Sequence, residues 1–211
     1  MTRIEKIAAQ PDRAGRYTLK LEDGRIFRLY RQTVEDFGLY SGRELSDEEL
    51  EKLEKAAGQM SAKMRAVRII SASGVSKADL ERRLIQKGEQ KQDAQQAVTW
   101  LEDLDLLDDN RIAQQVVQKC IAKGYGLSRA KQALYEKRIP KAFWEDALAD
   151  YPDQTEKIVE FLQTRLKNDR DEKQLRRAMD ALLRRGHSYQ EIRRALRQID
   201  ENADFQEDIY G

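Results

Sequence analysis

Few residues in this chain of 211 could do covalent chemistry, and their spacing does not bring them together. The single histidine, His187, stands in Arg184-Arg185-Gly186-His187-Ser188 and reads as part of a surface turn rather than as a general base. Cys120 follows Ile112 and Val116 at helical spacing, which suits a small buried hydrophobe better than a nucleophile. One Cys and one His exclude an internal disulfide and Cys/His zinc or iron–sulfur ligation. The carboxylates of Asp103, Asp105, Asp108 and Asp109 lack the central Gly and final Glu of a calcium loop. Gly124-Tyr125-Gly126-Leu127-Ser128-Arg129 has neither the third glycine nor the preceding strand of a phosphate loop, so the end of a helix explains it. No enzyme, metal or cofactor is expected.

The residues that do recur are basic. Arginines are paired at Arg82-Arg83, Arg176-Arg177, Arg184-Arg185 and Arg193-Arg194, a chemistry suited to carboxylates or phosphates alike. The formal net charge is only +1, from 39 basic and 38 acidic side chains, but it is unevenly spread. Between Gln92 and Asn110 six acids meet no base, whereas Arg176 to Arg197 holds seven arginines against Asp180 and Glu191. Such segregation fits a molecule that shows different faces to a charged partner, and it also fits ordinary solvated helix faces. Zinc-finger spacing, RNP motifs and a basic region followed by heptads are all missing. Helix-turn-helix remains open at Asp79–Leu101 or Ala178–Ile199.

These side chains must be positioned by elements that the hydrophobic pattern defines. Tyr17-Thr18-Leu19-Lys20-Leu21 and Arg25-Ile26-Phe27-Arg28-Leu29-Tyr30 alternate as paired strands should. A two-residue Asp23-Gly24 loop would put Leu19 opposite Arg28. A three-residue loop with Gly24 left-handed places Tyr17, Leu19, Phe27 and Leu29 on one face, so the longer loop is expected. A hairpin alone is marginal, so Ile4, Ile7 and the Val34–Leu39 segment should add a strand or a small helix.

Everything after Leu45 reads as helix, in keeping with 40% hydrophobic residues and only three prolines. Ser46-Asp47-Glu48-Glu49, Ser76-Lys77-Ala78-Asp79 and Ser188-Tyr189-Gln190-Glu191 are start signals. Gly58 is a candidate interruption, Asp108 or Asp109 a candidate cap, and Gly88, Gly124 and Gly186 are stops. Aligning Leu84, Leu134 and Leu182 brings Lys87, Lys137 and Arg185 together, then Gly88, Arg138 and Gly186, then Ala97, Ala147 and Ala195. Apolar positions resume beyond the turn at Ala94, Trp144 and Ile192, then at Leu101, Tyr151 and Ile199. With preceding helices at Ser61–Ser73, Asn110–Lys123 and Thr155–Lys167, this reads as three tandem three-helix repeats forming an elongated curved rod. The expected organisation is a β-hairpin extension over 1–45, a linking helix over 46–60, repeats over 61–107, 108–152 and 153–200, and an acidic tail over 201–211. No apolar run is long enough to span a membrane, and the polar start shows no secretory leader, so a cytoplasmic protein is expected.

Several stretches in order resemble the RecX family, the regulators of the RecA recombinase. They are Leu80–Gly88, Leu106-Leu107-Asp108-Asp109-Asn110-Arg111-Ile112-Ala113, Gly124–Arg129, Leu134-Tyr135-Glu136-Lys137 and Leu183-Arg184-Arg185-Gly186-His187-Ser188. The resemblance covers about Ser61 to Ile199, and the amino-terminal hairpin is similar to the extension of longer members. Ile112 departs from the family's usual Phe, and Arg138-Ile139-Pro140 from its Gly-containing turn, which leaves open how the middle unit bends. The resemblance implies a monomeric regulator, in recombination, DNA repair and the SOS response, that lies in the groove of the RecA–DNA filament. There it would mainly inhibit RecA, with weak DNA contact beside it. The expected contacts are Arg82, Arg83, Lys87, Arg129, Lys131, Lys137, Arg138, Arg176, Arg177, Arg184, Arg185, Arg193, Arg194 and Arg197. A helix-turn-helix DNA-binding regulator and a helical scaffold for another protein are the alternatives.

Overall fold

A computed structural model describes residues 1–166 and 172–207, with side chains as far as 199. Lys167, expected to end the first helix of the third repeat, and the last four residues of the expected acidic tail lie outside the described residues. The chain divides into two compact units, Met1–Leu107 and Asp108–Gly211.

The first unit begins with a four-stranded antiparallel sheet in the order β3-β2-β1-β4, from β1 (Thr2–Ile7), β2 (Arg16–Leu21), β3 (Ile26–Tyr30) and β4 (Glu44–Leu45). Leu19 pairs with Phe27 and Tyr17 with Leu29, the register that the apolar alternation demands. The Leu21 amide donates to the Arg25 carbonyl at 2.9 Å, which leaves Glu22-Asp23-Gly24 as a three-residue loop with Gly24 at φ +88°. Ile4 and Ile7 enter through β1, and α1 (Arg31–Asp36) follows β3 directly.

The helix α2 (Asp47–Ala72) starts at a complete capping box, Ser46 Oγ accepting from the Glu49 amide and the Glu49 carboxylate accepting from the Ser46 amide. Its first half closes the sheet: Leu50 and Leu53 join Ile4, Leu19, Leu21, Leu29 and Leu45 in one buried cluster. Its second half gives Ala62 and Ala66 to another core, with α3 (Lys77–Gln86) and α4 (Lys91–Asp103). Gly58 does not interrupt this helix. It sits where α4 packs on α2, and a Cβ there would stand 2.5 Å from Asp93 Oδ2. The expected linking helix and the expected first helix of repeat one are therefore one 26-residue element.

The second unit holds two helical groups. In the first, α5 (Asp109–Ala122), α6 (Leu127–Glu136), a 3₁₀ turn (Lys141–Phe143) and α7 (Trp144–Leu148) surround Ile112, Ala113, Val117, Leu134 and Ile139. Asp108 is the cap of α5, accepting from the Arg111 amide at 3.0 Å. In the second, α8 (Thr155–Arg165), α9 (Glu172–Arg184) and α10 (Tyr189–Glu207) surround Ile158, Leu162, Ala178, Leu182, Ile192 and Ala195.

One turn recurs in the three helical groups. The amides of Glu89, Ile139 and His187 donate to the carbonyls of Leu84, Leu134 and Leu182, and those of Gly88, Arg138 and Gly186 to Ile85, Tyr135 and Leu183. This is the paired-bond motif that satisfies the last carbonyls of a helix, and it needs a left-handed residue after the cap. Gly88 and Gly186 supply it without strain, while Arg138 adopts φ +55° despite its Cβ. The middle turn thus keeps the same bend although it has lost its glycine.

The two groups of the second unit meet turn against turn. The Gly126 amide donates to the Arg185 carbonyl at 2.9 Å, and a Cβ on Gly126 would stand 2.1 Å from the Gly186 carbonyl oxygen. Gly58 and Gly126 should therefore respond differently to alanine. At Gly58 the clash is with the end of a side chain rather than with backbone, and the gain in helix propensity, about 1 kcal/mol, works against it. At Gly126 the clash is with backbone, at an overpacking cost of about 2–3 kcal/mol. Urea unfolding should find Gly58→Ala within about 1 kcal/mol of the wild type and Gly126→Ala clearly destabilised.

Candidate functional site

The structure divides the fourteen expected contact residues by what holds them. Arg82 and Arg83 close on the buried carboxylate of Asp79, at 2.6 and 2.8 Å, one from each side. Asp79 lies three residues beyond the capping Ser76, but its carboxylate serves these arginines, and Ser76 Oγ alone takes the Asp79 amide. Arg129 pairs with Glu136 at 2.9 Å and Arg194 with Asp153 at 3.4 Å. Arg185 stacks on Phe161, 4.6 Å from the ring centre, and Arg193 on Tyr189 at 5.1 Å. Lys137 and Arg138 belong to the turn after α6. Lys87, Lys131, Arg176, Arg177, Arg184 and Arg197 are exposed and make no ion pair with a described residue.

Two of those unpaired arginines share one groove. Arg177 and Arg184 lie two helical turns apart on α9, on the face that also presents Ala181. Together with Phe161, Arg165 and Gln174 they line a groove of about 460 Å³ between α8 and α9. Phe161 is covered by Arg165 at 5.5 Å as well as by Arg185, so its ring orients two guanidinium groups without neutralising either. Arg165 was not among the expected residues. The only sequence sign of it is the four-residue interval from Phe161, which puts both side chains on one face of a helix. Arg176, its neighbour Arg177 notwithstanding, does not line this groove.

His187 is not in a surface turn. It is 4% exposed, and its Nε2–H donates to the Gly124 carbonyl at 3.0 Å. The reason is Gly186: at φ +86° it turns the chain directly onto the backbone of Arg129, and the imidazole follows into the interior. Nδ1 is buried without a hydrogen-bond partner among the described residues. Burial holds the imidazole below its ordinary pKa, partly opposed by the bond to Gly124. The nearby Tyr151 hydroxyl donates to the Tyr125 carbonyl at 2.6 Å, and its burial pushes that pKa up to about 12. Cys120 is buried as expected, and burial pushes its thiol up as well. His187 and Tyr151 thus brace the turn between α5 and α6 from two directions.

No protein-family model matches the chain. Its sequence is nonetheless 27% identical over 151 residues to the regulatory protein RecX of Vibrio parahaemolyticus, covering 70% of this chain and 97% of that one. It is 24% identical over 202 residues to the regulatory protein RecX of Clostridioides difficile, covering 93% and 95%. A solved structure of regulatory protein RecX superimposes with a TM-score of 0.62 at 23% identity, over 90% of this chain and 97% of that one. The structure of RecX from Lactobacillus salivarius gives 0.59 at 26% identity, over 69% and 98%. The chain is thus similar in sequence and in fold to RecX proteins. Its mainly helical architecture with a small amino-terminal antiparallel sheet is the RecX fold. Among the described residues no helix is long and apolar enough to cross a membrane.

The buried imidazole of this RecX-like chain makes its stability depend on pH. The folded state holds His187 neutral below the pKa of about 6.5 that it has when unfolded. Its contribution is therefore complete above that value and is lost as pH falls towards the folded pKa, because the unfolded chain takes up the proton first. Thermal melts should fall in midpoint between pH 7.5 and 5.5, and His187→Gln should lower the midpoint at pH 7.5 but flatten its slope with pH.

Proposed function

We propose that this chain regulates the RecA recombinase by binding in the groove of the RecA–DNA filament, mainly as an inhibitor, without a covalent step or cofactor. Three things support the reading: the similarity to RecX proteins in sequence and fold, the resemblance of the ordered motifs to regulators of RecA, and the α8–α9 groove arginines that have no ion pair with a described residue. The last carries it at the level of residues. Arg177 and Arg184 are solvent-exposed cations with no described carboxylate to satisfy them, beside a groove that could receive an acidic segment of a partner. Arginine forks suit bidentate pairing with carboxylates.

The mechanism follows from number rather than chemistry. In this reading the three helical groups are tandem repeats, set along an elongated curved rod that meets several RecA subunits of one filament. Modest contacts on consecutive subunits then add through high effective concentration. A protein seated in the groove excludes duplex DNA and the partner strand, and it favours whichever filament geometry fits it best. The protein acts as a cytoplasmic monomer, in recombination, repair and the SOS response, and its DNA contact there is weak. Arg82, Arg83, Arg129 and Arg194 spend their charge on internal carboxylates, so their part is to hold the docking surface in shape.

Purified protein should depress RecA strand exchange and DNA-dependent ATP hydrolysis at substoichiometric amounts. Unchanged rates at about a tenfold excess over RecA would sink the proposal. Arg177→Gln with Arg184→Gln should weaken cosedimentation with RecA filaments by about tenfold and flatten its salt dependence while leaving the melting midpoint unchanged. Tight duplex binding without RecA would instead favour a direct DNA-binding regulator.

A further inference from the structure

We propose that the first unit carries a separate phosphate-binding cleft that takes the phosphodiester backbone of single-stranded nucleic acid. The cleft, about 460 Å³, opens between the sheet and the helical hairpin. Arg16 and Tyr30 line it from the sheet, Arg65 and Arg68 from α2, Arg83 and Lys87 from the end of α3. Five of its lining side chains are cationic and none is acidic.

How these groups are held decides what the cleft can do. Arg16, Arg65 and Arg83 are oriented by carboxylates outside the lining: Asp12, Glu89 and Asp79, each at 2.8 Å. Asp79 also serves Arg82, so its charge is divided. Arg68 is fixed by neutral oxygens, its Nη2 donating to the Ala14 carbonyl at 2.7 Å and to the Tyr30 hydroxyl at 3.3 Å. Lys87 makes no ion pair with a described residue, although its carbonyl accepts from Arg65 Nη1 at 2.7 Å. The framework therefore gathers like charges and leaves two of them without a counter-ion, an arrangement that a bound anion relieves.

Phosphate oxygens are the matching chemistry, because preoriented guanidinium groups bind them in forks and an ammonium adds a point charge. Arg68 and Lys87, the two cations with no counter-ion among the described residues, match two successive phosphodiester charges. A strand with one charge per nucleotide presents several in succession. The site needs no recombinase and stands or falls apart from the filament reading. Free phosphate and pyrophosphate share the chemistry, so the experiment has to separate the sources.

The full-length protein is titrated against a labelled oligothymidylate of about twelve nucleotides at low salt, followed by fluorescence anisotropy, and separately against sodium pyrophosphate by calorimetry at matched ionic strength. Wild type should bind the oligothymidylate, and Arg68→Gln with Lys87→Gln should raise its Kd about tenfold. The slope of log K against log salt should fall in magnitude by about 1.4, two contacts at ~0.7 each. Lys52→Gln, an exposed cation of α2 paired with Glu48, should change Kd less than about twofold. Since Arg68 also braces Tyr30, Lys87→Gln alone is the second variant: it should weaken binding about threefold with an unaltered melting midpoint. Oligothymidylate binding that is absent, or equal in wild type and both cleft variants, overturns the proposal. Pyrophosphate binding that depends on Lys87 without any oligothymidylate binding makes the cleft a site for free oligophosphate and overturns the nucleic-acid assignment.

Discussion

The whole helical part depends on ending helices abruptly without leaving their last carbonyls unsatisfied. A helix that stops inside a packed structure exposes acceptors that water cannot reach, and each unmet one is costly. Here Leu84, Leu134 and Leu182 solve this identically: each is buried, and each carbonyl receives the amide five residues on. The residue that makes this possible stands at φ +91°, +55° and +86° in turn, as Gly88, Arg138 and Gly186. Because the turns are tight, the following helices fall back on the preceding ones, and the small residues Ala97 and Ala195 are buried there. In the middle group Ala147 lies on the short α7 and is only partly buried, so the larger Trp144 and Tyr151 fill in. Trp144 anchors that substitute by donating from its indole to the Ile139 carbonyl at 3.0 Å.

Charge is managed by the same economy of place. In a chain that is 36% charged, most ion pairs are exposed and contribute little. Asp79 differs, being buried at a helix start with two arginines converging on it. Removing one partner of a buried pair strands the other, so this triad fixes the local geometry more than it adds stability. It also explains why adjacent arginines do different jobs: Arg82 bends to Asp79 and Gln86, while Arg83 reaches Asp79 from the side that lines the cleft of the first unit. Proximity in sequence says nothing of that division, because residues next to each other on a helix point about 100° apart.

That is why the fold was far more legible than the site. The three-residue loop at Gly24 follows from apolar alternation alone, since a shift of one residue would have turned Leu19 and Phe27 to opposite faces. The boxes at Ser46 and Ser188 are local hydrogen-bond patterns and appear as written. Gly58 misled because a mid-helix glycine signals a break locally, whereas here it answers to Asp93 on another helix. His187 misled for the converse reason: its neighbours are arginines and a turn, and only the distant Gly124 carbonyl makes it interior. Arg65 and Arg68 carry no local signal at all. They matter through Ala14, Tyr30 and Glu89, partners set by tertiary packing.

A surface that must recognise charge has to keep some cations idle and still hold them in place, two requirements that oppose each other. A carboxylate holds an arginine well but cancels it. The chain resolves this with partners that carry no charge. Phe161 holds Arg165 and Arg185 by its ring face, and the Ala14 carbonyl and Tyr30 hydroxyl hold Arg68. In each case rotamer freedom is restrained beforehand while the full positive charge stays available, which lowers the entropy that binding must overcome. Arg177 and Arg184, exposed and with no described carboxylate, stand in one groove with Arg165, which is anchored in this way. An aromatic ring on α8 and a backbone carbonyl before β2 thus hold cations in place without adding a negative charge beside them.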